Sequence, residues 1–125
     1  MTLVKSHKDL RVYQKSYQAA MEIFELSKSF PKNELYSLTS QIRRSSRSVC
    51  ANLAEAYRKK VYPKSFYSKI SDSEAEATET QNWLDFAHDC GFIEKETTIR
   101  LYKIYDEIVG MLVNMRNTAE RWKPH

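Results

Sequence analysis

Glycine and proline are almost missing from this sequence, with 2 and 3 in 125 residues. Sandwiches and barrels turn many times, and turns draw on both residues, so an all-β fold is nearly excluded. Cysteine is equally scarce. Cys50 and Cys90 cannot build a disulfide scaffold or a four-cysteine zinc site, and both are expected as buried thiols. No apolar run approaches the roughly 20 residues of a membrane span, so no membrane partner is expected. Met1 to Leu10 carries Lys5 and Lys8 without an apolar stretch, which predicts no signal peptide and a cytoplasmic location. A glycine-rich phosphate loop and the spacing of a Ser-His-carboxylate triad are also missing. The expectation is therefore a non-enzyme with no cofactor and no metal.

What is present is 42% apolar and 29% charged residues, a soluble globular composition of one-domain length. The charge is uneven. Residues 1–70 hold 14 Lys and Arg against 5 Asp and Glu, a net of +9, whereas residues 71–125 hold 6 against 11, a net of −5. Such asymmetry suits either a basic binding face or basic and acidic elements that pair in the fold.

Helical periodicity divides the chain into four segments. The first runs from about Asp9 to Ser29, with Leu10, Tyr13, Tyr17, Ala20 and Phe24 on one face and Ser6 or Asp9 as its cap. Pro31 closes it. The second runs from about Glu34 to Lys60, with Asn33 as N-cap and a stripe of Leu35, Leu38, Ile42, Val49, Leu53 and Ala56. Ser45, Ser46, Ser48, Ala51 and Ala54 lack bulk, so a second helix can approach closely there. The third runs from about Lys64 to Cys90, with Pro63 in its first turn and Gly91 as the C′ stop. Phe66, Ile70, Ser73, Ala77, Thr80, Leu84 and Ala87 form its stripe. The fourth runs from about Glu94 to Arg121, with Leu101, Ile104, Ile108, Leu112, Met115 and Ala119 inward. The tail Trp122–His125 is expected to be loose. Long helices joined by short breaks force antiparallel neighbours, an all-α up-down-up-down four-helix bundle.

One helix face stands out chemically. Arg43, Arg44 and Arg47 are followed by Arg58, Lys59 and Lys60. Arg47 and Arg58 lie eleven residues apart, only about 20° out of line at ~100° per residue. The result is an arginine ridge, and the planar guanidinium fork suits phosphate oxygens. Ser45 and Ser46 could add hydroxyl contacts. The ridge reads either as a phosphate-binding surface for nucleic acid or as one side of structural ion pairs. Asp72, Glu74, Glu76 and Glu79 could be its partners or simply solvated. Asp85 and His88 have a carboxylate–histidine spacing used in di-iron bundles, but no second such motif exists, so a surface pair is expected. Asn52 and Glu55, three apart in a small-residue helix, are expected to join Glu76 or Glu79 in a buried polar network that fixes register.

Several stretches resemble a known family. They are Asp9–Leu10–Arg11–Val12–Tyr13–Gln14–Lys15, the run from Phe30–Pro31–Lys32–Asn33–Glu34–Leu35 through Gln41–Ile42–Arg43–Arg44–Ser45, and Asn52–Leu53–Ala54–Glu55–Ala56–Tyr57. Glu79–Thr80–Gln81–Asn82–Trp83–Leu84–Asp85–Phe86–Ala87 and Cys90–Gly91–Phe92–Ile93 continue the series. Together they resemble the four-helix-bundle proteins of the 23S rRNA intervening-sequence family over about residues 8–120. The resemblance implies a single domain, 1–125, assembled as a homopentamer, with no catalytic residues to carry over. A similar basic pentamer serves as an accessory protein of diversity-generating retroelements, beside a reverse transcriptase. Ala56 departs from the glycine usual in the family, which bears on helix packing there.

The expected function is sequence-tolerant binding of RNA or another nucleic acid, with phosphate contacts at Arg43, Arg44, Arg47 and Arg58 and with Lys59 and Lys60 at the rim. The alternative is an interaction scaffold for a protein partner, with the arginines in ion pairs. A subunit interface is expected on outer faces carrying Val12, Ile23, Tyr102 and Val109.

Overall fold

A computed structural model describes residues 4–123. Among these are four long helices and no strand: α1 (Arg11–Ser27), α2 (Ser40–Arg58), α3 (Pro63–Asp89) and α4 (Lys95–Asn117). Short 3₁₀ turns occupy His7–Asp9, Lys32–Glu34 and Ala119–Trp122, and a π-helical stretch, Leu35–Thr39, leads into α2. No described helix is long and apolar enough to cross a membrane. Residues 1–3, part of the leader reading, and Pro124 and His125 of the tail lie outside the described residues.

Local chemistry sets most boundaries. Pro63 is the first residue of α3, where its missing N–H costs no helical bond. At the other end Gly91 adopts φ 82°. The Gly91 N–H then donates to the His88 carbonyl and the Phe92 N–H to the Ala87 carbonyl, both at 2.8 Å. This paired closure of the last turn is the stop expected from sequence. Ser6 and Asp9 form a reciprocal cap, but on the 3₁₀ turn His7–Asp9 and not on α1. The helix α1 starts after Leu10 with no side-chain cap.

One helix start and one buried stripe depart from expectation. Asn33 is not an N-cap: it sits inside a 3₁₀ turn, and regular α-helix begins only at Ser40. The intervening π turns are wider than α turns. They bring Leu38 and Thr39 inward while leaving Leu35 44% and Tyr36 92% exposed. In α1 the buried stripe is Val12, Ser16, Ala19, Ala20, Ile23 and Ser27. Tyr17 is 52% exposed, and Tyr13 and Phe24 are half-buried. The core face of α1 is thus mainly small and aliphatic, with Tyr13 packed against its edge and Tyr17 turned outward. Val12 and Ile23 are therefore core residues, unavailable to a subunit interface, and Tyr102 and Val109 are half-buried.

Apart from Leu35, the stripes of the second and third segments pack as read. Ile42, Val49, Leu53 and Ala56 meet Phe66, Ile70, Ala77, Leu84 and Ala87, all nearly or fully buried, in one cluster with Leu101, Tyr105, Ile108 and Leu112 of α4. The Ala56 methyl is wholly enclosed, so packing at that turn accommodates a side chain. Close approach of α2 and α3 is visible in two bonds. Thr80 Oγ1 donates to Ser45 Oγ at 2.8 Å, and Ser73 Oγ donates to the Val49 carbonyl at 2.8 Å. A hydroxyl reaches a neighbouring backbone only where residues between are small. Ser45 and Ser46 are thus buried packing residues and offer no hydroxyl to a ligand.

Polar ties run along the rims. Lys69 pairs with Glu55 at 2.7 Å across α2 and α3. Between α3 and α4, Gln81 Nε2 donates to the Tyr102 carbonyl at 3.1 Å and to Asp106 at 2.8 Å, and Arg116 Nε meets Glu74 at 2.6 Å. Between α1 and α4, Arg100 pairs with Glu22 and Lys15 with Glu107. Arg100, through its hydrogen bond and charge, holds the Glu22 carboxyl below the usual carboxylate range. Trp122 stacks on Phe66 with ring centroids 5.7 Å apart, so this part of the tail is docked and not loose. Two buried hydroxyls, Thr39 Oγ1 and Tyr105 OH, find no partner among the described residues.

Candidate functional site

The ridge on α2 divides into three parts. Arg43 and Arg47, one turn apart, lean over the Phe24 ring of α1, their guanidinium carbons 4.9 and 5.5 Å from its centroid. Lys28 Nζ lies 4.9 Å from the same centroid, so three cations share one aromatic ring. Arg43 Nε also donates to Ser27 Oγ at 2.7 Å. Ring and hydroxyl fix the arginine without neutralising it. Among the described residues no carboxylate pairs with Arg43 or Arg47, whereas Lys28 pairs with Glu25 at 3.1 Å.

Arg44 points the other way, toward α3. Its guanidinium spans Glu76, at 3.1 Å, and Glu79. Trp83 Nε1 donates to the same Glu79 carboxylate at 3.3 Å. Here the acidic stretch partners the ridge, at one arginine. Glu74 goes instead to Arg116, and Asp72 stays exposed.

The third part lies at the far end of α2. Arg58 and Lys59 are exposed and border a hollow of about 540 Å³ with Lys5, Ser6 and His7. Lys60 Nζ sits 3.6 Å from the Tyr57 ring centroid, and Tyr57 OH donates to the Val4 carbonyl at 3.3 Å. The N-terminal Lys5 thus joins this basic end, a neighbour that helical spacing within α2 could not reveal.

Arg43, Arg44 and Arg47 border a shallow hollow of about 570 Å³ with Leu35, Tyr36 and Ser40. A second hollow, of about 520 Å³, is lined by Tyr36 together with Leu38, Trp83, Phe86, Cys90, Glu34 and Gln41. Tyr36 borders both. Sequence reading assigned Leu35 to the core and gave Tyr36 no role. Their exposure follows from the π turns, which no residue in that stretch signals.

The expected network of Asn52, Glu55, Glu76 and Glu79 does not form. Asn52 Nδ2 donates to the Ser48 carbonyl at 2.9 Å, within its own helix. Glu55 is exposed and pairs with Lys69, which lowers its carboxyl pKa and raises that of the ammonium. The small side chains that bring α2 close to α3 leave no room between them for long carboxylates, so these collect at the rim. His88 Nδ1 lies 2.9 Å from Asp89, its neighbour, and not from Asp85. Among the described residues no three His, Cys, Asp or Glu side chains group as metal ligands. Cys50 is buried as expected, and desolvation pushes its thiol up to about 11. Cys90, expected buried, is exposed at the end of α3.

The family model for the 23S rRNA-intervening sequence protein matches residues 8–114. The chain belongs to that family. Among solved structures, it is similar to a protein of unknown function from the S23 ribosomal protein family of Bacteroides thetaiotaomicron VPI-5482. The two share 28% identity over 86% of this chain and 96% of the other, with a TM-score of 0.77. No curated protein matches the chain.

Proposed function

We propose that this protein is a non-enzymatic, cytoplasmic, homopentameric four-helix bundle of up-down-up-down antiparallel topology. Its role is sequence-tolerant binding of RNA or another nucleic acid. Phosphates meet Arg43, Arg47 and Arg58, with Lys59 and Lys60 at the rim and Arg44 drawn in where phosphate displaces Glu76 and Glu79. The observation that carries this reading is the pair Arg43 and Arg47. Both are fixed over Phe24 yet free of carboxylates among the described residues, so their charge is available and pre-positioned. The antiparallel order is supported by contacts that join the start of α2 to the end of α3 (Ser45 with Thr80) and the end of α2 to the start of α3 (Glu55 with Lys69). Exposed Tyr17 and Met21 on α1 and Ile99 on α4 supply apolar surface for a subunit interface. In a ring of five, each weak phosphate contact recurs, and the contacts reinforce one another through effective concentration.

The test is fluorescence anisotropy with labelled RNA across a salt series, comparing the wild type with Arg43→Ala/Arg44→Ala/Arg47→Ala, with light scattering to fix the assembly of each. Steep weakening with salt, and a shallower slope in the variant, supports phosphate on the ridge. An intact oligomer that binds nothing at low salt removes the reading. One observation favours a second reading. Arg44 is held by two carboxylates of α3, as an interaction scaffold with structural arginines requires. That reading expects the triple variant to lose assembly or stability instead.

A further inference from the structure

We infer that the nucleic acid this surface takes is single-stranded, and that unpaired bases stack on Tyr36 and on the aromatic hollow beyond it. The inference rests on the proposed phosphate contacts at Arg43 and Arg47 and adds what lies next to them. Tyr36 is 92% exposed and borders both the arginine hollow and the hollow walled by Trp83 and Phe86. Trp83 and Phe86 have ring centroids 5.8 Å apart at 46°, and Phe86 is 53% exposed. Cations and aromatic faces are thus side by side on one surface, in the order phosphate site, ring, aromatic wall. Base faces are free to stack only when a strand is unpaired, and such stacking tolerates any sequence because every base has a π-face.

The charge pattern opposes a duplex. A duplex lays a second line of phosphates across the surface at the groove's width. Glu34 borders the aromatic hollow. A second phosphate line there would meet its carboxylate. A single strand brings neutral bases to that side and keeps its phosphates on the arginines.

The test uses a labelled 12-nucleotide RNA of mixed sequence, free and annealed to its complement, with Tyr36→Ala, Tyr36→Phe and Arg43→Ala/Arg47→Ala. Tyr36 is so exposed that its loss leaves the fold intact, which circular dichroism checks. The expected result is at least tenfold tighter binding of the single strand than of the duplex. Tyr36→Ala weakens the single strand by about fivefold or more, the lower bound for one stacked base, and leaves duplex binding unchanged. Its salt slope stays that of the wild type, and Tyr36→Phe restores affinity. The double arginine variant instead lowers the salt slope, by ~0.7 per lost phosphate contact. Equal affinity for single strand and duplex, or an unchanged affinity in Tyr36→Ala while the arginine variant loses binding, overturns the stacking inference and leaves the phosphate reading standing. A wild type that binds neither probe at low salt overturns both.

Discussion

Replacing Tyr105 by phenylalanine should stabilise this protein. The ring is completely buried in the core, and its hydroxyl has no hydrogen-bond partner among the described residues. A buried hydroxyl that loses water without gaining a partner costs about 1–3 kcal/mol. Removing the oxygen leaves a gap on the order of 10 Å³, worth about 0.2 kcal/mol at ~24 cal/mol per Å³. The net expectation for Tyr105→Phe is a gain of about 1–3 kcal/mol at pH 7, or about 3–11 °C in Tm for a chain of this size. Urea unfolding followed by circular dichroism measures it. The same experiment at higher pH tests the cause. Burial, and secondarily the Cys50 thiol, raises the Tyr105 pKa above its ordinary value. Above about pH 10 an unfolded tyrosine loses its proton while the folded one keeps it. The unfolded state then binds fewer protons, so wild-type stability falls as pH rises. Tyr105→Phe removes that contribution, and its advantage should widen between about pH 9 and 11. A loss of more than about 1 kcal/mol at pH 7 means the hydroxyl is bonded, an advantage that stays flat across that range means that water reaches it, and either result refutes the reasoning.

The two thiols should separate cleanly in a disulfide-exchange titration. Cys90, exposed after α3, reacts in the native protein, whereas Cys50, buried and pushed up to about 11, reacts only on unfolding. Two fast native thiols would contradict the burial of Cys50. Gly91→Ala should cost about 1 kcal/mol or more in urea unfolding, because φ 82° is a left-handed conformation that an L side chain adopts only with strain. An unchanged midpoint would mean that the turn after α3 relaxes without loss.

The helical stripes with large and small residues on opposite faces were legible in the sequence. Phe66, Ile70, Ala77 and Leu84 could sit only one way, and α3 packs as read. In α1 two stripes repeat with the same period, one aromatic and one small. Bulk favoured Tyr13, Tyr17 and Phe24, but the face that turns inward carries Ser16, Ala19 and Ala20 between Val12 and Ile23. The aromatics moved to the flank, and there Phe24 became the platform for Arg43 and Arg47. The ridge itself followed from spacing. Its division did not, because which arginine meets Phe24 and which meets Glu76 depends on neighbours from other helices. Tyr36 was hidden for a different reason: the hydrophobic pattern of Leu35, Leu38 and Ile42 reads as unbroken α-helix.

The π stretch Leu35–Thr39 has a consequence for how this surface can change over evolutionary time. A π turn carries one residue more than the α turn it replaces, so it acts as a slip coupling between two lengths of rod. Downstream, the gearing of Ile42, Val49 and Leu53 into the core is fixed. Upstream, the display of Tyr36 is set by the surplus residue alone. Losing that residue would turn Tyr36 by about 100° relative to Arg43 without disturbing a single core contact beyond Ser40. One deletion or insertion here therefore resets what stands beside the arginines at the expense of Leu38 and Thr39, while the packing of α2 from Ile42 onward stays as it is.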